Sequence, residues 1–295
     1  MQRLYWILLG LLLAGFLFYQ HGLELTYPAP WPDEGLFLWQ SLAFRDTGTL
    51  LAPELCEKRD IFFMPPGYML VQGLIFKLTG FSLPWARLLS ALHVCGTIGC
   101  FAYLARRFEA RFAHLLLFAA FLCSPIAHLA GNTARMETLV VLTGAVGLVL
   151  LVRARLVGGF AVLSLAPLVH PNGLFVVLLG ILYVIGKAIQ RGLVRTALDS
   201  GEFAVIVAPR ARIFGFSMRR WEAALLIGVA LSWLAFLIYF TRHWNAFVWD
   251  LALQLHWKQN TSPMLLQRLR QPGHLPFALL FGASVLPALR FAPRC

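Results

Sequence analysis

Apolar runs of bilayer-crossing length recur along almost the whole chain, at residues 4–19, 86–104, 112–130, 136–152, 156–170, 171–187, 222–240 and 275–290. A hydrocarbon core about 30 Å thick takes roughly 17–25 apolar residues per helix, and inside it every backbone N–H and C=O must be bonded within the spanning structure. The pattern predicts an all-α polytopic membrane protein of about eight transmembrane helices. Only 13% of the residues are charged and 59% are hydrophobic, against roughly 25% charged in an ordinary soluble domain. Lipid is therefore the expected solvent for most of the surface. The stretch 157–186 is too long for one span and short for two, and Pro167 and Pro171 interrupt it. Proline lacks the helical N–H and clashes with the preceding turn, so two short helices meeting at His170-Pro171 are expected there.

The first run, after Met1-Gln2-Arg3, has the basic start and apolar core of a signal peptide. No small-x-small cleavage site follows at Tyr19–Glu24, so it reads as an uncleaved first span. The five cysteines include no CxxC pair, and Cys95, Cys100 and Cys123 lie in apolar segments. They suggest neither a disulfide framework nor a zinc site.

Lysine and arginine set the expected orientation, because cytoplasmic loops are enriched in them. With the N-terminus inside, the cytoplasmic segments hold fifteen basic and four acidic residues, and the outer segments ten basic and nine acidic ones. Most of the net charge of +12 thus reads as topology and not as nucleic-acid binding. The same count argues that the short apolar segment Pro66–Gly80 does not cross, since crossing would turn the arginine-rich loop 187–220 outward. It is expected as a juxtamembrane helix in the outer interface, with Tyr68 and Lys77 at the headgroup boundary.

The organisation expected is a single membrane domain over 1–295. It has a large extracytoplasmic loop at 20–85 containing juxtamembrane helices, a cytoplasmic loop at 188–221 and a second extracytoplasmic loop at 241–274. The candidate chemistry gathers outside. Trp31-Pro32-Asp33-Glu34-Gly35 opens an amphipathic helix ending near Gly48. A cap stabilised by the helix dipole explains Asp33 there completely, and a reactive carboxylate, with Glu34 beside it, is the sharper alternative. Pro65-Pro66-Gly67-Tyr68 starts the interfacial helix, since proline suits a first turn. Ala134-Arg135-Met136-Glu137 puts a cation and a carboxylate at the mouth of a span. Arg135 could clamp a phosphate or Glu137 could simply neutralise it. His170-Pro171-Asn172-Gly173 is a polar outer turn, and the histidines and tryptophans of the loop 241–274 fit an aromatic belt as well as a site. No HExxH, P-loop, GxSxG or zinc-ligand spacing occurs.

Taken in order, the acidic pair, the Pro-Pro-Gly-Tyr segment running to Phe76-Lys77-Leu78-Thr79-Gly80, Ala86-Arg87-Leu88-Leu89-Ser90, Ala134-Arg135-Met136-Glu137 and His170-Pro171-Asn172-Gly173-Leu174 form an ordered set over residues 1–190. This set resembles the GT-C glycosyltransferases, in the branch of protein O-mannosyltransferases and lipid A aminoarabinose transferases. The resemblance implies an inner-membrane, multi-pass enzyme that moves a sugar from a polyprenyl-phosphate donor to a protein, lipid or polysaccharide acceptor at the outer face. It implies Asp33 as general base with Glu34 beside it.

Displacing a lipid phosphate also needs cations, for which Lys58, Arg59 and Arg135 are candidates. His170 is a further candidate at the donor, and Pro65, Pro66, Tyr68 and Glu137 are expected as supporting residues. The loop carboxylates and histidines permit a divalent metal without demanding one. Some relatives carry Glu-Lys just before the double proline where this chain has Phe63-Met64, so contacts assigned there do not transfer. The family usually has more spans or a C-terminal soluble domain, and a C-terminally truncated member is expected. The alternatives are a transporter or flippase of a lipid-linked substrate, motivated by the proline-broken helices, and a non-catalytic paralogue.

Overall fold

The computed structural model describes residues 2–23, 32–50, 64–105, 111–199, 220–250, 252 and 256. Lys58, Arg59, the loop 200–219, most of 251–274 and the expected span 275–290 lie outside the described residues. Among the described residues all regular structure is helical. The order is α1 (Gln2–Leu23), α2 (Pro32–Thr47), α3 (Gly67–Thr79), α4 (Leu83–Ala105), α5 (Arg111–Leu122), α6 (Pro125–Gly131), α7 (Glu137–Val152), α8 (Leu156–Leu163), α9 (Ala166–Val169), α10 (Gly173–Asp199) and α11 (Arg220–Arg242). The chain divides into two compact units, Met1–His243 and Trp244–Cys295. In the second, residues 244–250 are helical and the Trp244 and Phe247 rings lie 5.7 Å apart.

Among the described residues three helices are long and apolar enough to cross a membrane, namely α1 over Gln2–Gly22, α4, and α11 over Trp221–Arg242. A fourth span is reached if α5 and α6 count as one. Large apolar side chains on their outer faces stand exposed, among them Leu11, Phe18, Leu116, Ile227 and Leu234, the surface expected of helices solvated by lipid.

The helical, membrane-compatible character of the sequence is present, but the described residues do not form the straight spans expected of them. Residues 112–130, expected as one helix, bend by 68° between α5 and α6. Pro125 starts a new helix whose N-cap Ser124 accepts the Ala127 N–H at 3.2 Å, so a helix terminus is written into the middle of the apolar run. The segment 156–170 breaks at Ser164–Leu165 as well as at His170, and α10 runs to Asp199, well past the expected end at 187.

Three hydrophobic clusters pack the described part of the first unit, the smallest formed by Leu38, Phe76, Ala86 and Ala134. One joins α1, α4, α5 and α6 through Tyr5, Leu9, Phe16, Ala91, Val94, Ile98, Leu115 and Phe118. A second joins α2, α3, the start of α7 and α9 through Phe37, Tyr68, Met69, Met136, Val140, Ala166 and Val169. In the second core α3 lies close on its neighbours because it carries glycines where they touch. A Cβ on Gly73 would sit 2.7 Å from the Ser41 carbonyl oxygen of α2, and one on Gly67 would sit 2.4 Å from the Leu168 carbonyl oxygen of α9. Gly73→Ala is expected to force α3 off α2 at a cost of about 1–3 kcal/mol, seen as a lower unfolding temperature in detergent.

α7 ends in a Schellman motif. The Arg155 N–H reaches the Leu150 carbonyl and the Ala154 N–H the Leu151 carbonyl, both at 2.9 Å. The left-handed position, usually glycine, is Ala154 at φ 59°, which costs a residue with a Cβ about 1 kcal/mol. Ala154→Gly should therefore raise the thermal unfolding midpoint of the detergent-solubilised protein.

Candidate functional site

Pro32 opens α2 as sequence reasoning expects, and Gly48, at φ 75°, closes it, its N–H bonding the Phe44 carbonyl at 3.0 Å. Asp33 and Glu34 fall in the first turn, where the helix dipole favours carboxylates. Successive helical residues point about 100° apart, and this pair uses the difference. Glu34, Phe37, Leu38 and Ser41 face inward, while Asp33 is exposed.

Glu34 is wholly buried. Its Oε1 accepts from Arg87 Nε at 2.9 Å and from the Ala134 backbone N–H at 2.7 Å, and its Oε2 accepts from Arg87 Nη2 at 2.9 Å. The two side chains are each 1% exposed. A parallel two-bond guanidinium–carboxylate contact is the strong, orientation-fixing form of the ion pair. One carboxylate thus ties the start of α2 to the N-terminal part of α4 and to the buried link between α6 and α7. Glu34 holds the site together from below, and Asp33 is the acid left facing outward.

Tyr68, expected at a headgroup boundary, does not face outward. It is completely buried, receives a 3.1 Å hydrogen bond from the Gln72 amide and lies against Ser90. Gln72 Oε1 accepts from the Ser41 hydroxyl at 2.8 Å, which links α3 to α2 a second time. Burial pushes the Tyr68 phenol well above its usual range. The nearby Glu34 and Glu137 carboxylates push the same way, while Ser90 and Gln72 pull against them. The tyrosine therefore stays protonated and acts as a neutral post under the acidic groups. The boundary role fits Lys77, which is exposed with its ammonium 5.9 Å from the Phe44 ring centre. Pro66 is the buried N-cap of α3, its carbonyl accepting the Leu70 N–H at 2.9 Å, and Pro65 precedes it half-buried.

Arg135 and Glu137 form a partly exposed pair, Nη2 to Oε1 at 2.5 Å, with 36% and 40% of their side chains accessible. Glu137 neutralises Arg135, as one of the two sequence readings had it. Arg135 Nε and Glu137 Oε2 are nonetheless buried without a hydrogen bond among the described residues. His170 is buried, and its Nδ1 accepts the Asn172 N–H at 3.0 Å. That bond places the proton of a neutral ring on Nε2. It follows α9, whose Ala166 and Val169 pack with Tyr68 and Met136.

Glu34, Tyr68, Arg135 and Glu137 are thus gathered at one end of the helices, with Asp33 on the outside of the same turn and His170 beyond the α9 packing. Arg87, which no sequence motif assigned a role, is central to it. The available signal was an arginine in the first turn of an apolar span, a placement that demands a partner. Among the described residues no group of three or more histidine, cysteine or acidic side chains is placed to hold a metal ion. No protein-family model, curated protein or solved structure matches the chain.

Proposed function

We propose that the chain is a membrane glycosyltransferase, moving a sugar from a polyprenyl-phosphate donor to an acceptor hydroxyl at the outer face with inversion. The reading rests on the sequence resemblance, and one geometric observation supports it most. The exposed carboxylate of Asp33 stands on a turn immobilised by the Glu34–Arg87–Ala134 bonds, on the same end of the helices as Arg135. In the reaction the Asp33 carboxylate takes the acceptor's proton as the acceptor oxygen attacks the anomeric carbon. The bond from that carbon to the phosphate oxygen breaks, and the polyprenyl phosphate departs with the electron pair. Arg135, exchanging Glu137 for the departing phosphate, would stabilise the developing charge. Lys58 and Arg59 are further candidates for that task.

Membranes containing the full chain, given polyprenyl-phosphate sugars labelled in the sugar, are the direct test. The expected result is label transferred to an acceptor with release of polyprenyl phosphate. No transfer with any donor series would sink the reading.

A second reading, transport of a lipid-linked substrate, is favoured by the two interrupted helical stretches, α5–α6 at Ser124–Pro125 and α8–α9–α10 at Ser164 and His170. Discontinuous helices commonly build transport sites. Movement of the labelled lipid across sealed vesicles without a transfer product would select it.

A further inference from the structure

The far end of α7 carries a second polar site. α7 is 16 residues long, so its last turn lies about 24 Å from Glu137. There a cavity of about 300 Å³ is lined by Leu150, Arg153, Arg155 and Trp221. The Schellman turn delivers two guanidinium groups to it from one tight bend, and the left-handed Ala154 between them is held there by the two 2.9 Å backbone bonds. Arg153 also sits over the Tyr103 ring at 5.2 Å, at the end of α4. Trp221 opens α11 and lies on Gly158, where an added Cβ would come within 2.8 Å of its ring. The nearby acid, Glu222, is buried beside Gly158 and is not part of the lining.

We propose that this cavity binds the headgroup phosphate of an anionic phospholipid. Two arginines supply the charge, forked guanidinium donors fit phosphate oxygens, and an indole beside an apolar leucine suits the junction between headgroup and acyl chain. Basic pockets between helices on the cytoplasmic side take such headgroups, the side on which the arginine distribution of the sequence leads one to expect this turn. The site is independent of any transfer chemistry at the other end.

The test uses the full chain in neutral detergent, with the thermal unfolding midpoint followed as phosphatidylglycerol, phosphatidylcholine or inorganic phosphate is added. Phosphatidylglycerol should raise the midpoint saturably, and the other two should not. Arg153→Gln should weaken the apparent affinity about fivefold, and Arg153→Gln with Arg155→Gln about 25-fold. Arg45→Gln, at the end of α2, should leave it unchanged. Arg153 is exposed, so its single variant carries the test if the double variant does not fold. Equal stabilisation by phosphatidylcholine, an equal shift from inorganic phosphate alone, or wild-type affinity in Arg153→Gln would each overturn the proposal.

Discussion

Glu34→Ala is expected to lower the stability of the detergent-solubilised protein by about 3–5 kcal/mol, because it strands the buried Arg87 charge and the Ala134 N–H together. Arg87→Ala should cost a similar amount, taking both guanidinium bonds from the buried Glu34 carboxylate. Glu34→Gln keeps an acceptor but loses the charge, and should fall between wild type and alanine. The pairing makes a sharper statement through the double variant Glu34→Leu with Arg87→Met. A buried ion pair replaced whole by apolar groups often costs little, so the double variant should regain much of the stability lost by either single change. A non-additive cycle of this kind separates a true partnership from two independent packing losses. Unfolding of Glu34→Ala at the wild-type temperature would show that the contact does not anchor α2.

Asp33→Asn is expected to do the opposite. Its side chain is exposed and takes no part in the buried bonds, so stability should shift by no more than about 0.5 kcal/mol. Sugar transfer, in contrast, should fall about 10²–10⁴-fold, the range lost when a general base is removed. The measurement is the initial rate of label transfer from polyprenyl-phosphate sugar in membranes normalised to the amount of folded protein. Transfer at the wild-type rate removes Asp33 from the mechanism. Set beside Glu34→Ala, the pair distinguishes chemistry from scaffolding at adjacent positions. One variant is stable and silent, the other unstable.

Local signals in the sequence carried the elements with clear termini. Pro32 and Gly48 bound α2, Pro66 precedes α3, and the long uninterrupted runs became α1, α4 and α11. The count of spans was not legible, because hydropathy measures apolar length but not direction. Phe112–Gly131 is apolar throughout except for His114, His128 and the Ser124-Pro125 step, and that step turns the helix by 68°. At the site, adjacency in sequence hid a division of labour, since Asp33 and Glu34 look equivalent until the helix face is known. Tyr68 was misplaced for a related reason. An aromatic in a short apolar helix suits an interface by composition, and only the glycine-mediated approach of α3 to α2 and α9 buries it. The role of Arg87 is not legible in the sequence because its partner lies 53 residues away, beyond the reach of spacing arguments.

The Glu34 carboxylate also dictates an order of events during synthesis. One of its partners, Ala134, lies 100 residues downstream. At ribosomal rates of about 5–20 residues per second, about 5–20 s separate the emergence of the two. Through that interval α2 carries a carboxylate destined for burial but not yet fully bonded, beside a membrane that penalises it. The bonded burial of Glu34 is therefore completed only after residue 134 has emerged, which makes the seating of α2 a late step of folding although α2 itself is made early.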